Sequence, residues 1–221
     1  MTNKIIFTSV YPEYQLPHPI PASKGVPEWW RKESNVGDKT FTMKRCVPIL
    51  DSLTAGYLIT LPVDVHKKVD DEHFWELNRP SFVSEHYARQ TEAYPLGEEW
   101  NPQPYKWTNP WKIQTPKGYS CLFVHPLNSG DGPFRSFSGI VDTDKHPVTI
   151  NFPFVIKKGF NGTIHAGTPI IQVIPFRRES WESKIIDDKE FVEDKNFYKL
   201  LTLPMPYTKK IGGQRKSLDN E

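Results

Sequence analysis

Asp142 and Asp144 stand two residues apart in the segment Gly139-Ile140-Val141-Asp142-Thr143-Asp144. In a strand-like turn that spacing sends both carboxylates to one side, where they could hold Mg²⁺ or orient an attacking water. The same pair suits an Asx-turn, in which each carboxylate bonds nearby backbone amides. Gln172 lies inside an apolar strand, on a face shared with Ile170, Ile174 and Phe176. Left unsatisfied in a core its amide would cost roughly 1–3 kcal/mol, so it requires a partner on a neighbouring strand or subunit. Arg135-Ser136, Lys157-Lys158 and Arg177-Arg178 could accept phosphate or carboxylate groups, or could be ordinary solvated strand ends.

Other chemistry is poorly supported. None of the seven histidines has His-x-Asp, His-x-His or His-Glu-x-x-His spacing, so only convergence in space of His125, His146 and His165 would make a cupin-like metal centre. Cys46 and Cys121 each sit in a strand-like apolar run, which predicts buried thiols in a reducing compartment, with a disulfide between them as the open alternative. A formal charge of +2 is nearly neutral and makes nucleic acid an unlikely partner. The tail cations Lys209-Lys210 and Arg215-Lys216 would give only weak, salt-sensitive contacts. No window approaches the ~20 apolar residues of a membrane helix, and the first ten residues lack a secretory apolar segment. A soluble protein is expected.

The elements that must position these residues are mostly strands. At 221 residues one domain is expected, and the 21 prolines punctuate a loop-rich β protein. Strands are predicted at residues 3–10, 41–50, 56–65, 111–115 and 119–125, with a strand pair inside 73–83 and a further pair formed by 148–157 and 168–176. Proline at position 27 opens a single helical turn, and Asp187 or Asp188 caps a C-terminal helix over 188–201. Residues 84–110 read as a long loop whose rings, Trp100, Tyr105 and Trp107 among them, would form an oligomer contact or ligand lid, or cap the core. One β-rich domain over 1–206 and a mobile tail over 207–221 follow.

The segment from Gly139 to Asp144, a strand, and then Ala166-Gly167-Thr168-Pro169-Ile170-Ile171-Gln172-Val173-Ile174 resemble the trimeric dUTPase and dCTP deaminase group. Thr54-Ala55-Gly56-Tyr57 is similar to the Ala-Gly-Tyr-Asp segment of dUTPases, although Leu58 replaces the aspartate. The resemblance implies an all-β, dUTPase-like β-clip or jelly-roll-like sandwich and a homo-oligomer, a trimer by analogy. It also implies a nucleotide site in which Asp142 activates water, with Asp144 beside it, while Arg135, Ser136, Gln172 and Tyr57 bind the ligand; Mg²⁺ enters only there. Arg135-Ser136 falls much closer to Asp142 than the Arg-Ser-Ser element does in those enzymes, so the pocket is expected to be rebuilt or lost. A second string, Lys44 to Tyr57 with Gly118-Tyr119-Ser120-Cys121-Leu122-Phe123, resembles an uncharacterised family of tailed phages and bacteria. It implies a viral origin and a virion or host-takeover role, in the virion or host cytoplasm and with other virion or host proteins as partners; separately, no cofactor is expected. A non-catalytic binding or virion role is the leading expectation, followed by a nucleotide-acting enzyme and a cupin-like enzyme.

Overall fold

The computed structural model describes residues 3–34, 42–68, 74–75, 81–146 and 148–185. In chain order these form β1 (Ile6–Ser9), β2 (Ile20–Pro21), α1 (Glu28–Lys32), α2 (Val47–Thr54), β3 (Tyr57–Thr60), β4 (Val65–Lys67) and β5 (Phe74–Trp75). There follow β6 (Val83–Glu85), β7 (Tyr105–Trp107), β8 (Trp111–Gln114), β9 (Tyr119–Val124), β10 (Phe134–Ser136), β11 (Gly139–Val141), β12 (Phe152–Ile156), β13 (Gly162–Ile164) and β14 (Pro169–Arg177). The chain divides into two compact units, Met1–Pro27 with Ser52–Arg178, and Glu28–Asp51 with Glu179–Glu221.

The larger unit is built of antiparallel sheets with strand orders β11-β9-β14-β3-β2, β10-β12-β7-β6, β13-β4-β5 and β1-β8. The all-β expectation therefore holds. Strand β14 is central: Ile170, Ile171, Gln172 and Val173 are buried in succession, so both of its faces are covered. The second sheet turns its aromatic face to the core. Trp107 stacks on Phe154 with centroids 3.8 Å apart, and Phe134 meets Trp107 edge-on at 5.1 Å. The Trp107 indole donates to Ser136 Oγ (3.1 Å), whose hydroxyl donates to the Ile170 carbonyl (2.7 Å), so one polar chain ties β7, β10 and β14 together.

The smaller unit holds α1. Its Trp30 is buried, and Lys44 Nζ donates to the Trp30 carbonyl at 2.7 Å while lying 5.6 Å from that residue's ring centroid. Among the described residues no helix is long and apolar enough to cross a membrane.

Several local expectations require correction. The described part of the strand expected over 41–50 is not a strand: Met43–Arg45 is a 3₁₀ turn and Val47–Thr54 is helical. Pro48 lies in the first helical turn, where no N–H is needed, and Ile49, Leu50 and Leu53 recur at helical spacing. Cys46 thus precedes a helix and is half-buried, whereas Cys121 is buried on β9 as expected. The segment read as a loop contains β7 in the interior of a sheet, and Trp100, Tyr105 and Trp107 belong to the buried set. Tyr105 and Trp107 fill the core, whereas Trp100, though buried, is not part of that cluster. Strands β12 and β14 enter different sheets with β13 between them, and β5 pairs with β4 while β6 pairs with β7. The expected C-terminal helix and tail lie outside the described residues.

Gly56 fixes the approach of β3 to β14. Its φ is +69°, and a Cβ there would lie 2.0 Å from the Val173 carbonyl oxygen. Gly56→Ala combines a left-handed backbone penalty with a backbone clash, and it should lower unfolding free energy by about 2–4 kcal/mol. Urea denaturation checks this; a loss below about 1 kcal/mol would mean that the two strands separate without cost.

Candidate functional site

The carboxylates of Asp142 and Asp144 converge, but on an arginine of the same chain. Arg178 directly follows β14, where its N–H donates to the Gly118 carbonyl at 2.8 Å. Its Nη1 and Nη2 reach Asp144 Oδ1 and Oδ2 at 2.8 and 2.5 Å, and Nη1 lies 3.1 Å from Asp142 Oδ1. The same Nη1 donates to the Tyr119 carbonyl (3.0 Å) and Ser120 Oγ (2.8 Å). Asp142 also accepts from the Ser120 hydroxyl at 2.7 Å, and Asp144 from the Gly118 N–H at 2.8 Å. The Arg178 guanidinium is thus matched to two carboxylates of its own chain.

Electrostatics agree with that reading. Hydrogen bonds from Arg178, then from the Gly118 amide, hold Asp144 down to about 2 against the opposing effect of burial. The Ser120 hydroxyl chiefly lowers Asp142, and Asp144 raises Arg178. Between the two aspartates Thr143 is buried, within 2.7 Å of Thr115 Oγ1 and donating to Cys121 Sγ at 3.4 Å. Burial pushes the Cys121 thiol up, so it is no poised nucleophile. The corner fastens the end of β14 to the turn before β9 and to the turn after β11.

Gln172 occupies the other end of the same strand, 1% exposed. Its Nε2 donates to the Ser52 and Ala55 carbonyls at 2.9 and 2.7 Å, and its Oε1 accepts the Leu127 N–H at 2.9 Å. Both amide protons are thereby used. Above it opens a pocket of about 190 Å³, walled by Leu53, Leu58, Pro126 and Leu127, with Ser129 and Gln172 as its polar members. Among the described residues no charged side chain lines it.

The remaining expected ligand residues are dispersed. Ser136 points into the core and is saturated there, and neighbouring residues on a strand face oppositely, so Arg135 points away from it. Tyr57 packs edge-on against Phe7 at 5.3 Å and is half-buried. At ~3.3 Å per residue, the six residues from Gln172 to Arg178 put the pocket and the aspartate corner roughly 20 Å apart. The expected set is not one cleft.

Beside the pocket, Ser129 Oγ lies 3.4 Å from His125 Nε2, a serine–histidine pair that sequence reasoning did not single out. The Ser136 N–H donates to His125 Nδ1 at 3.3 Å, which assigns the ring proton to Nε2. The imidazole then donates toward Ser129 and cannot take its proton. Burial, and secondarily Arg135, lowers the His125 pKa. His165 instead sits 3.4 Å from Asp64, and no group of three His, Cys, Asp or Glu side chains among the described residues is placed to hold a metal ion. No protein-family model and no curated protein matches this chain.

Two measurements test these assignments. Asp144 and Asp142 are depressed in the folded state, so their stabilisation is full above the unfolded carboxylate pKa, about 4, and is lost as pH falls towards 2. Chemical denaturation should show wild type more stable than Arg178→Gln at pH 7, with the gap closing by pH 2–3. A gap independent of pH would place the role of Arg178 elsewhere. Gln172→Leu, which strands two carbonyls and one N–H, should cost about 3 kcal/mol at neutral pH; an unchanged denaturation midpoint would show those groups satisfied without it.

Proposed function

We propose that this chain is a non-catalytic binding protein of phage type, with a dUTPase-like β body, and that the pocket over Gln172 takes a small ring-bearing, largely apolar ligand. The observation that carries the reading is the use of Asp142, Asp144, Ser136 and Gln172 as structural hydrogen-bonding groups at separate places in the fold. Catalytic groups must converge on one substrate, and these do not. The pocket supports the binding half of the proposal: an engineered apolar cavity of ~150 Å³ admits benzene, so about 190 Å³ accommodates one ring. Its uncharged walls suit a ring better than a triphosphate. The phage setting, a virion or host-cell location and a trimeric assembly rest on the sequence resemblance.

Thermal denaturation against small aromatic compounds, deoxynucleotides and ribonucleotides, with and without Mg²⁺, tests the proposal. At 100 times its Kd a ligand contributes about 2.7 kcal/mol, a rise of roughly 5–10 °C for a chain of this size. The expected responder is an uncharged ring compound, its effect indifferent to Mg²⁺, abolished by Ser129→Phe at the pocket rim and retained in Asp142→Asn. A Mg²⁺-dependent nucleotide shift lost in Asp142→Asn, accompanied by release of pyrophosphate, would instead establish a nucleotide-acting enzyme.

A further inference from the structure

The outer face of the aromatic sheet carries a different arrangement. Residues opposite one another in an antiparallel pair share a face, as do residues two apart along a strand. Arg135 lies opposite Val155, Lys157 follows two residues on, and Trp100 lies opposite Lys157. These three side chains therefore leave the sheet on one side, opposite to Phe134 and Phe154. Backbone bonds lock the register, from the Lys157 N–H to the Pro133 carbonyl (2.8 Å) and from the Asn101 N–H to the Ile156 carbonyl (2.8 Å).

On that face the Trp100 ring carries two cations, with Arg135 Cζ 5.5 Å and Lys157 Nζ 5.9 Å from its centroid. Trp100 is 6% exposed, and its indole N–H has no acceptor among the described residues. No described carboxylate pairs with Arg135. Lys157 has one, Asp131, at 3.0 Å, but that side chain is 89% exposed and yields readily to a competitor. The cluster thus holds three donors and one solvated acceptor. It contrasts with the Arg178 corner, where two carboxylates of the chain occupy the guanidinium.

We propose that Arg135 and Lys157, set on the Trp100 ring, form a binding site for the oxyanion of a ligand, a phosphoryl or carboxylate group. The guanidinium offers a planar fork to two oxygens and the ammonium adds a point charge beside it. The indole beneath holds both cationic heads near its ring, which lowers the ordering cost of binding. This site lies on the sheet face turned away from Ser136 and shares no lining residue with the pocket over Gln172.

The test is thermal denaturation in sodium phosphate, sodium succinate and sodium chloride at matched ionic strength. Wild type should melt higher in phosphate or succinate than in chloride, and the better of the two assigns the oxyanion as phosphoryl or carboxylate. Removing one charge-assisted partner weakens binding by about tenfold or more, so Arg135→Gln and Lys157→Gln should each lose most of the increment. Asp131→Asn, which removes the competing carboxylate from an exposed position, should enlarge it. Ser129→Phe should leave it unchanged. Equal midpoints in the three salts, or a full increment in a folded Arg135→Gln, would overturn the proposal. Should Arg135→Gln not fold, an increment in Asp131→Asn no larger than that of wild type would do the same.

Discussion

A polar amide inside the buried stretch of β14 is the constraint on which the junction of β14 with its neighbours depends. Strand β14 is covered on both faces, and Gln172 places two donors and an acceptor where water does not reach. Such a group is tolerated only if the backbone around it is brought into register. Satisfying it draws the C-terminal end of α2 with Ala55, and the Pro126–Ser129 turn, onto the strand, and both segments wall the pocket. Close approach at Gly56, where no Cβ fits, completes the junction between β3 and β14.

The same logic recurs in the other polar features of the interior. Ser136 joins the indole of Trp107 to the carbonyl of Ile170, linking the aromatic sheet to the five-stranded one without an unpaired atom. At the far end of β14 the guanidinium of Arg178 gathers two carboxylates, a carbonyl and a hydroxyl from three chain segments. Each network spends on architecture a residue type that often does chemistry. Among the described residues, an uncharged hollow above Gln172 and a cationic cluster around Trp100 lie outside these networks.

Residue type alone therefore misleads at the aspartates. Their spacing directs both carboxylates to one place, as expected, yet the occupant of that place is Arg178, distant by more than thirty residues in sequence and adjacent only because β14 pairs with β9. The Ser129–His125 pair makes a similar point, since a backbone N–H on β10 dictates the imidazole tautomer and removes its capacity as a base.

Strand-forming runs such as 119–125 and 168–176, rich in apolar and β-branched residues, made the all-β class and the ends of β9 and β14 readable from the chain itself, because local alternation and turn residues act over a few positions. The need of Gln172 for partners was equally legible, as burial of an amide has one consequence wherever it occurs. The helix at Val47–Thr54 was obscured by apolar residues that suit either period, and β7 by the prolines around its three residues. Which strands share a sheet, that Arg135 and Ser136 face opposite ways, and that Arg178 closes on Asp142 and Asp144 were decided by tertiary structure. These depend on non-local pairing, whose register sets the face of every side chain and which no local pattern encodes.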